Sequence, residues 1–315
     1  MSERMDEDLT AVTPVTVAVV MLTLNQRETT LRALRSLMPQ VEPDMRVLLW
    51  DNGSSDGTVE VVQREYPSVR AHHHPTNLGV ASGRNAGAKL AIETFQPEFL
   101  LFLDNDLVLQ PGFVRALLDA FALDPRLGQA QAKLLYLDEP NRINDGGGCR
   151  INFWLGRTDP VGFKEIDRGQ CDRIAPCVSC GGAMMVRASL FRELGGFDSI
   201  FDPFGPEDLD FSLRLQEKGY KALYLPQAVA LHEVNHTFEG DGYTAVYAHS
   251  KAKHWLRFLR RHGTPGQKAG FFLVGAPLIA LRMVFRELRR GNPGAILGSV
   301  RGFIEAMKAP ARPRR

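Results

Sequence analysis

The chain has 315 residues, 44% apolar and 23% charged, which is ordinary for a soluble globular protein and ample for one large domain, alone or with an appendage. No repeat or low-complexity segment occurs, the polar, acidic start MSERMDEDLT lacks the basic-then-apolar order of a signal peptide, and four cysteines suit a reducing compartment, so a cytoplasmic body is expected. The net charge of +2 hides an asymmetry: residues 251–315 hold fifteen Lys and Arg against Glu287 and Glu305, a local +13 that leaves −11 elsewhere and suggests a polyanionic partner.

In chain order, VTVAVVMLTL reads as a strand, and ETTLRALRSLM as a helix with Leu31, Leu34 and Leu37 or Met38 on one stripe. MRVLLWD is a second strand ending at Asp51, and GSSDGT a turn whose Ser55 or Asp56 can cap the next helix. VRAHHH is a short third strand, NLGVASGRNAGAKLAIETF a loop running into a helix, and EFLLFLD the fourth strand. This alternation predicts an α/β fold with a mostly parallel sheet flanked by helices. Ligands of such sheets collect at the carboxyl ends of the strands, where Thr23 to Asn25, Asp51 to Asp56, Asn77 to Asn85 and Asp104 to Asp106 all fall. A polar tail over 1–13, a continuous domain over 14–240 and a basic helical extension over 241–315 follow. In that extension YTAVYAHSKAKHWLRFLRRHG reads as a basic helix and GTPG as a break. Residues 269–285 are an apolar stretch, slightly short for a bilayer span and interrupted by Arg282.

The stretch LFLDNDL carries the first chemical signal. In extended backbone Asp104 and Asp106 face the same side, so the pair needs a cation, a shared proton or open water. LLFLDNDLVL also fits the D-x-D-x-[TV] pattern of haloacid-dehalogenase-like phosphatases, although those enzymes place it on the first strand, and three strand-helix units precede it here. Further on, Glu207, Asp208 and Asp210 open a helix just after Pro206, where a carboxylate is favoured by the helix dipole and can serve as a general base. Arg214 is spaced to pair with Asp210 on a helix surface. His232 ends a late strand and His236 follows; a histidine there can join a metal held by aspartates. His72, His73 and His74 alternate faces and do not read as a metal cluster. Cys149, Cys171, Cys177 and Cys180 read as small buried thiols, since a second C-x-x-C is missing.

Taken in order, TLNQRETTLRALRSL, WDNGSSDGT, NLGVASGRNAGA, LFLDNDL, GGAMMVRASLFRELGGFD, PEDLDFSLRLQEKGY and ALHEVNHTF resemble the inverting family 2 glycosyltransferases of GT-A fold. The resemblance covers roughly residues 15 to 260 and is nearest to the bacterial branch of rhamnosyltransferases and other polysaccharide-building enzymes. It implies a nucleotide-binding half over 14–110 and an acceptor half over 111–240. By the same resemblance, Asp51 binds base or ribose, Thr23 and Asn25 line that pocket, and Arg84 lies near the nucleotide. Asp104, Asn105 and Asp106 match the D-x-D motif, with Asp106 on a divalent cation (Mn²⁺ or Mg²⁺), helped by His232, and Asp104 on hydroxyls or the metal. Gly182 and Ala183 match the sugar and acceptor side, Glu207 accompanies the site, and Asp208 matches the general base.

The implied donor is a UDP-, dTDP- or GDP-sugar, the acceptor a glycan or lipid-linked hydroxyl, and the absence of Q-x-x-R-W points to single-sugar transfer. A nucleotidyltransferase also uses a nucleotide and paired aspartates, but it typically opens with a glycine-rich basic loop, and TLNQRE has no glycine. The tail over residues 255–315 is expected either at an anionic membrane surface on the inner leaflet or as a cap on the catalytic domain. Nucleic acid is not expected, since no aromatic stacking pattern accompanies the basic residues.

Overall fold

The protein is described by a computed structural model covering residues 14–178, 181–234 and 244–309. His236, Cys180, the 1–13 tail and the terminal RPRR lie outside the described residues.

β1 (Val17–Thr23) sends Val17, Val19 and Met21 to one face and Ala18 and Val20 to the other. Both faces are covered, which is why the strand reads as a continuous apolar run. α1 (Arg27–Leu37) lays Leu31, Leu34 and Leu37 on the first face. β2 (Met45–Asp51), α2 (Thr58–Glu65) and β3 (Arg70–His73) repeat the unit. α3 (Val80–Phe95) covers the second face and leads to β4 (Phe99–Asp104), which pairs with β1. α3 lies unusually close to the sheet: a Cβ at Gly83 would stand 2.8 Å from Leu22 Cδ1, and one at Gly87 2.9 Å from Val20 Cγ1. β3, β2, β1 and β4 are adjacent and parallel, as the alternation predicts.

The second half adds β5 (Leu107–Leu109), α4 (Phe113–Leu123), β6 (Leu127–Tyr136) and β7 (Ile143–Asp145). The separate hairpin β8 (Cys149–Asn152) and β9 (Arg157–Pro160) comes next, then β10 (Ala175–Pro176) and β11 (Ala183–Arg187). α5 (Ala188–Glu193), α6 (Glu207–Glu217) and β12 (Lys221–His232) complete it. The sheet order is β10-β12-β6-β11-β4-β1-β2-β3; β11 runs antiparallel to β4 and β6, and β12 parallel to β6. The carboxyl end of β4 therefore meets the start of β11, and β5 brings the end of β12 alongside.

Two expectations are corrected. β4 stops at Asp104 and residues 105–106 form a turn, so the two aspartates do not share one face of a strand. Asp210 is fully buried and not on a helix surface: it accepts from Arg214 Nε at 2.8 Å, Arg261 Nη1 at 2.7 Å and His262 Nε2 at 2.8 Å. Arg261 also reaches Asp198 Oδ2 at 2.7 Å. These ion pairs lock α7 (Ala245–His262), the first helix of the basic extension, onto α6.

Thr264 then makes a capping box with Gln267, which is the break read at GTPG. α8 (Pro265–Gly270), a π-helical turn at Phe271–Gly275 and α9 (Ala276–Arg289) run on as one helix of 25 residues, longer than the apolar stretch alone and long and apolar enough to cross a membrane by length and composition. α10 (Pro293–Lys308) returns along α7.

Candidate active site

The strand ends build the site outward from β1. Thr23 is buried, and its hydroxyl meets Thr30 Oγ1 of α1 at 2.8 Å. Asn105 is buried beside them: its Nδ2 lies 3.0 Å from Thr30 Oγ1, 3.0 Å from Gln26 Oε1 and 3.2 Å from Thr23 Oγ1. Its amide thus anchors the 105–106 turn to the mouth of β1. Asn25 takes a positive φ of 51° and ties the first strand end to the second, receiving Ser55 N–H on Oδ1 at 2.8 Å while its own N–H donates to Ser54 Oγ at 2.7 Å.

Asp51 is 1% exposed; Oδ1 accepts from Ser54 N–H and hydroxyl, and Oδ2 holds His73 Nδ1 at 2.6 Å. His73 is therefore the solvent-facing end of the Asp51 group, with about half its side chain exposed. His72 and His74 turn the other way and stack on Trp50, which is the face alternation expected of them.

Arg84, buried on α3, is the hub of the next shell. Its Nη2 reaches Asp104 Oδ1 at 2.5 Å and its Nη1 reaches Glu207 Oε1 at 3.3 Å. Burial works to lower its pKa, but Asp104, Glu207 and Asp208 outweigh that and hold the guanidinium charged. Asp202 sets the helix that carries it: Oδ1 accepts from the Ala81 and Ser82 N–H groups at 3.0 and 3.3 Å, and Oδ2 from the Ser82 hydroxyl at 2.5 Å. A carboxylate at a helix N-terminus is stabilised by the open N–H groups there. The same segment leads directly into α6, so α3 and α6 are fixed relative to each other.

The two acids that open α6 differ. Glu207 is buried and fully engaged, Oε1 with Arg84 and Oε2 with Gly205 N–H at 3.2 Å. Burial and the neighbouring Asp208 charge push its pKa upward. Asp208 Oδ1 accepts from Leu209 N–H at 2.8 Å, while Oδ2 faces Gly181, where a Cβ would stand only 3.2 Å away. Gly181 has φ +91° and Gly182 φ +60°, and Gly182 O accepts from Asp104 N at 2.8 Å. The glycine pair thus lets the backbone pass between the end of β4 and Asp208, with buried Ala183 beginning β11 behind it. Burial raises the Asp208 pKa to about 6 against the pull of Arg84.

Asp106 turns instead to β12. Its Oδ2 lies 3.3 Å from His232 Nε2, and its Oδ1 is buried with no hydrogen-bond partner among the described residues. His232 Nδ1 donates to Asn144 Oδ1 at 2.8 Å, leaving Nε2 as an acceptor aimed at a carboxylate. Two acceptors in that position call for a proton or a cation between them. Burial works to lower the His232 pKa, and Asp106 outweighs it, so the imidazole is raised. The orphaned Asp106 oxygen and the pre-oriented Nε2 fit a divalent cation. Among the described residues, however, no group of three or more His, Cys, Asp and Glu gathers at one point, and Asp104 is held by Arg84.

Asp104, Glu207, Asp208, Arg84 and Gly182 are thus brought together, with Asp106 and His232 adjoining through the 105–106 turn. Thr23, Asn25 and Asp51 form the next cluster along the sheet edge. Sequence reasoning missed His73, Asn144 and Asp202. Only Asp202, in FDPFGPED just ahead of the acidic pair, had a local signal.

A family model described as Glycosyl transferase family 2 matches residues 18–195, and one described as N-terminal domain of galactosyltransferase matches residues 173–239. The chain is 29% identical over 281 residues to N-acetylglucosaminyl-diphospho-decaprenol L-rhamnosyltransferase of Mycobacterium tuberculosis, covering 83% of this chain and 90% of that protein. Its fold is similar to the crystal structure of GalNAc-T7 with UDP, GalNAc and Mn²⁺, with a TM-score of 0.60 and 17% identity over 78% of this chain and 47% of that one. It is also similar to the mannosyltransferase PcManGT of Pyrobaculum calidifontis in complex with GDP-Man and Mn²⁺, with a TM-score of 0.54 and 17% identity over 95% of this chain and 77% of that one. These likenesses show the GT-A fold.

Proposed function

Because the chain belongs to glycosyl transferase family 2, and is therefore a glycosyltransferase, we propose that it moves one sugar from a UDP-, dTDP- or GDP-sugar to a hydroxyl of a lipid-linked or other glycan acceptor, with metal dependence and inversion, at the cytoplasmic side of cell-surface polysaccharide synthesis. The observation that carries this reading is the division of labour at the start of α6. Glu207 is spent on Arg84 and Gly205, while Asp208 faces Gly181 with a raised pKa, close enough to Arg84 and Asp104 to feel their charges. A lipid-linked acceptor is supported by the name of the mycobacterial relative, and a nucleotide with a divalent cation by the ligands of the two similar structures. Nothing observed supports the phosphatase or nucleotidyltransferase alternatives, and Asp104, held by Arg84, is a poor candidate for a phosphatase nucleophile.

Asp208 takes the proton of the acceptor hydroxyl. The hydroxyl oxygen bonds to the anomeric carbon as the bond from that carbon to the diphosphate breaks, and the diphosphate leaves with the electron pair. Asp106 and His232 would hold the divalent cation, which supplies positive charge to the leaving diphosphate. Arg84 keeps Asp104 and Glu207 in place, with Asp104 left near the sugar hydroxyls. Asn25, Thr23 and the His73 end of the Asp51 group line the nucleotide side.

The test is nucleoside diphosphate release by the purified protein from a panel of UDP-, dTDP- and GDP-sugars. One or a few donors should be turned over, and none would be if the reading is wrong. EDTA should abolish the release, and Mn²⁺ or Mg²⁺ restore it. Asp106→Asn should lower the rate on the order of a hundredfold or more at saturating metal; unchanged rates would remove Asp106 from the metal site.

A further inference from the structure

The helix from Pro265 to Arg289 is only 17% buried across its most apolar stretch. Phe271, Gly275 and Glu287 are buried against the body, and Ala276 and Met283 partly so. Away from that contact runs an exposed stripe of Val274, Leu278, Leu281, Phe285 and Leu288, at alternating spacings of four and three. Leu281 is 69% exposed and Phe285 62%. α10 carries a second exposed stripe of the same spacing, Leu297, Val300, Ile304 and Met307. Trp154, at the tip of the β8–β9 hairpin, lies on Gly270, where a Cβ would fall 1.9 Å from its ring, and is itself 53% exposed. Two exposed apolar stripes, one on α9 and one on α10, and half-exposed Trp154 are thus left uncovered among the described residues, more than scattered surface side chains explain.

Charge selects the occupant. Arg282 and Arg289 run beside the apolar stripe, each one position over from Leu281 and Leu288, while Arg286 between them is paired with buried Glu287. The two acids within the described 265–309 segment are both paired with cations: Glu287 is buried against Arg286, and Glu305 pairs with His249 and Lys253 of α7. A second copy docking here would set arginines against arginines, whereas anionic headgroups neutralise them. A spanning arrangement would carry the arginines into hydrocarbon and tear Glu287 from its packing. We infer that α8–α9, α10 and Trp154 form an in-plane docking face for an anionic lipid bilayer, with α9 lying along the interface. This docking face goes beyond the proposed transfer reaction, and vesicle binding is its readout.

The experiment is co-sedimentation of the full chain with phosphatidylcholine vesicles and with the same vesicles containing phosphatidylglycerol. Binding is expected to the mixed vesicles and to fall with salt. Leu281→Glu with Phe285→Glu should weaken it roughly tenfold or more, and Arg282→Glu with Arg289→Glu should weaken it and flatten the salt dependence. Both pairs should keep the wild-type melting temperature and the wild-type rate of slow donor hydrolysis, which separates a failure here from a failure of the transfer reading. Wild-type protein that stays in the supernatant with both vesicle types overturns the inference. So does a dimer that ignores vesicles and is dissolved by the apolar pair of substitutions.

Discussion

Asp208→Asn is expected to cut turnover about a thousandfold, the scale of a lost general base, while the protein folds normally. The amide keeps the shape and can still accept from Leu209 N–H, but it cannot take a proton from the acceptor. Arg84 retains Asp104 and Glu207, so the mouth of the site should stay assembled. Initial rates of acceptor-dependent nucleoside diphosphate release, with a thermal melt alongside, check both halves. The wild-type pH profile supplies an independent reading. A base must be deprotonated to act, so kcat/KM should rise with pH through about 6 and flatten above it, where an unburied aspartate would already be active near pH 4. The limb should be missing from any residual Asp208→Asn activity. Near-normal transfer by this variant would move the base assignment elsewhere.

Asp210→Asn is expected to be the most damaging change to stability, about 3–5 kcal/mol, because it leaves buried Arg214 without its counter-charge and Arg261 with Asp198 alone. Asp210 has no exposed surface and faces Arg214, Arg261 and His262 together. Burial opposes its ionisation, yet the His262 hydrogen bond and the two arginines overcome it and lower its pKa from 3.8 to about 2. A carboxylate with a depressed folded-state pKa contributes stability that is fully present above the unfolded value and is lost as pH falls through the folded one. Roughly 2–3 kcal/mol of wild-type stability should therefore disappear between about pH 4 and pH 2. Urea unfolding at neutral pH and in this acid range checks the claim: the gap between wild type and variant should be wide at pH 7 and narrow on acidification. Equal midpoints at pH 7 would show that α6 and α7 are held together by packing alone.

What was legible in the sequence was whatever local chemistry encodes. The first four strands and three helices follow from apolar runs, periodic leucines and the turn residues between them, and an acidic helix start at Glu207, Asp208 and Asp210 follows from Pro206 ahead of it, whereas only the family resemblance singles out Asp208 among the three. The strand ends of Thr23, Asp51 and Asp104 also follow, because each apolar run stops at a polar residue. What failed was geometry finer than one residue or longer than one element. A strand continuing to 106 would set Asp104 and Asp106 on one face, but Asn105 is pulled into the Thr23, Gln26 and Thr30 cluster, and the backbone turns there. Asp104 consequently finds Arg84, and Asp106 finds His232. The Asp210–Arg214 spacing was visible, but its burial depends on Arg261 and His262 from a distant helix. His73, Asn144 and Asp202 act only through partners far along the chain, and no spacing rule reaches that far.

The proposed chemistry rests on a direct displacement with one base, Asp208, and a cation-stabilised leaving group. The configuration of the anomeric carbon in the product tests this most directly, read by NMR from the transferred sugar once a donor and acceptor pair is in hand. Inversion relative to the nucleotide sugar is the predicted result. Retention would contradict it, since it requires a second displacement or a front-face route for which Asp208 is not the base.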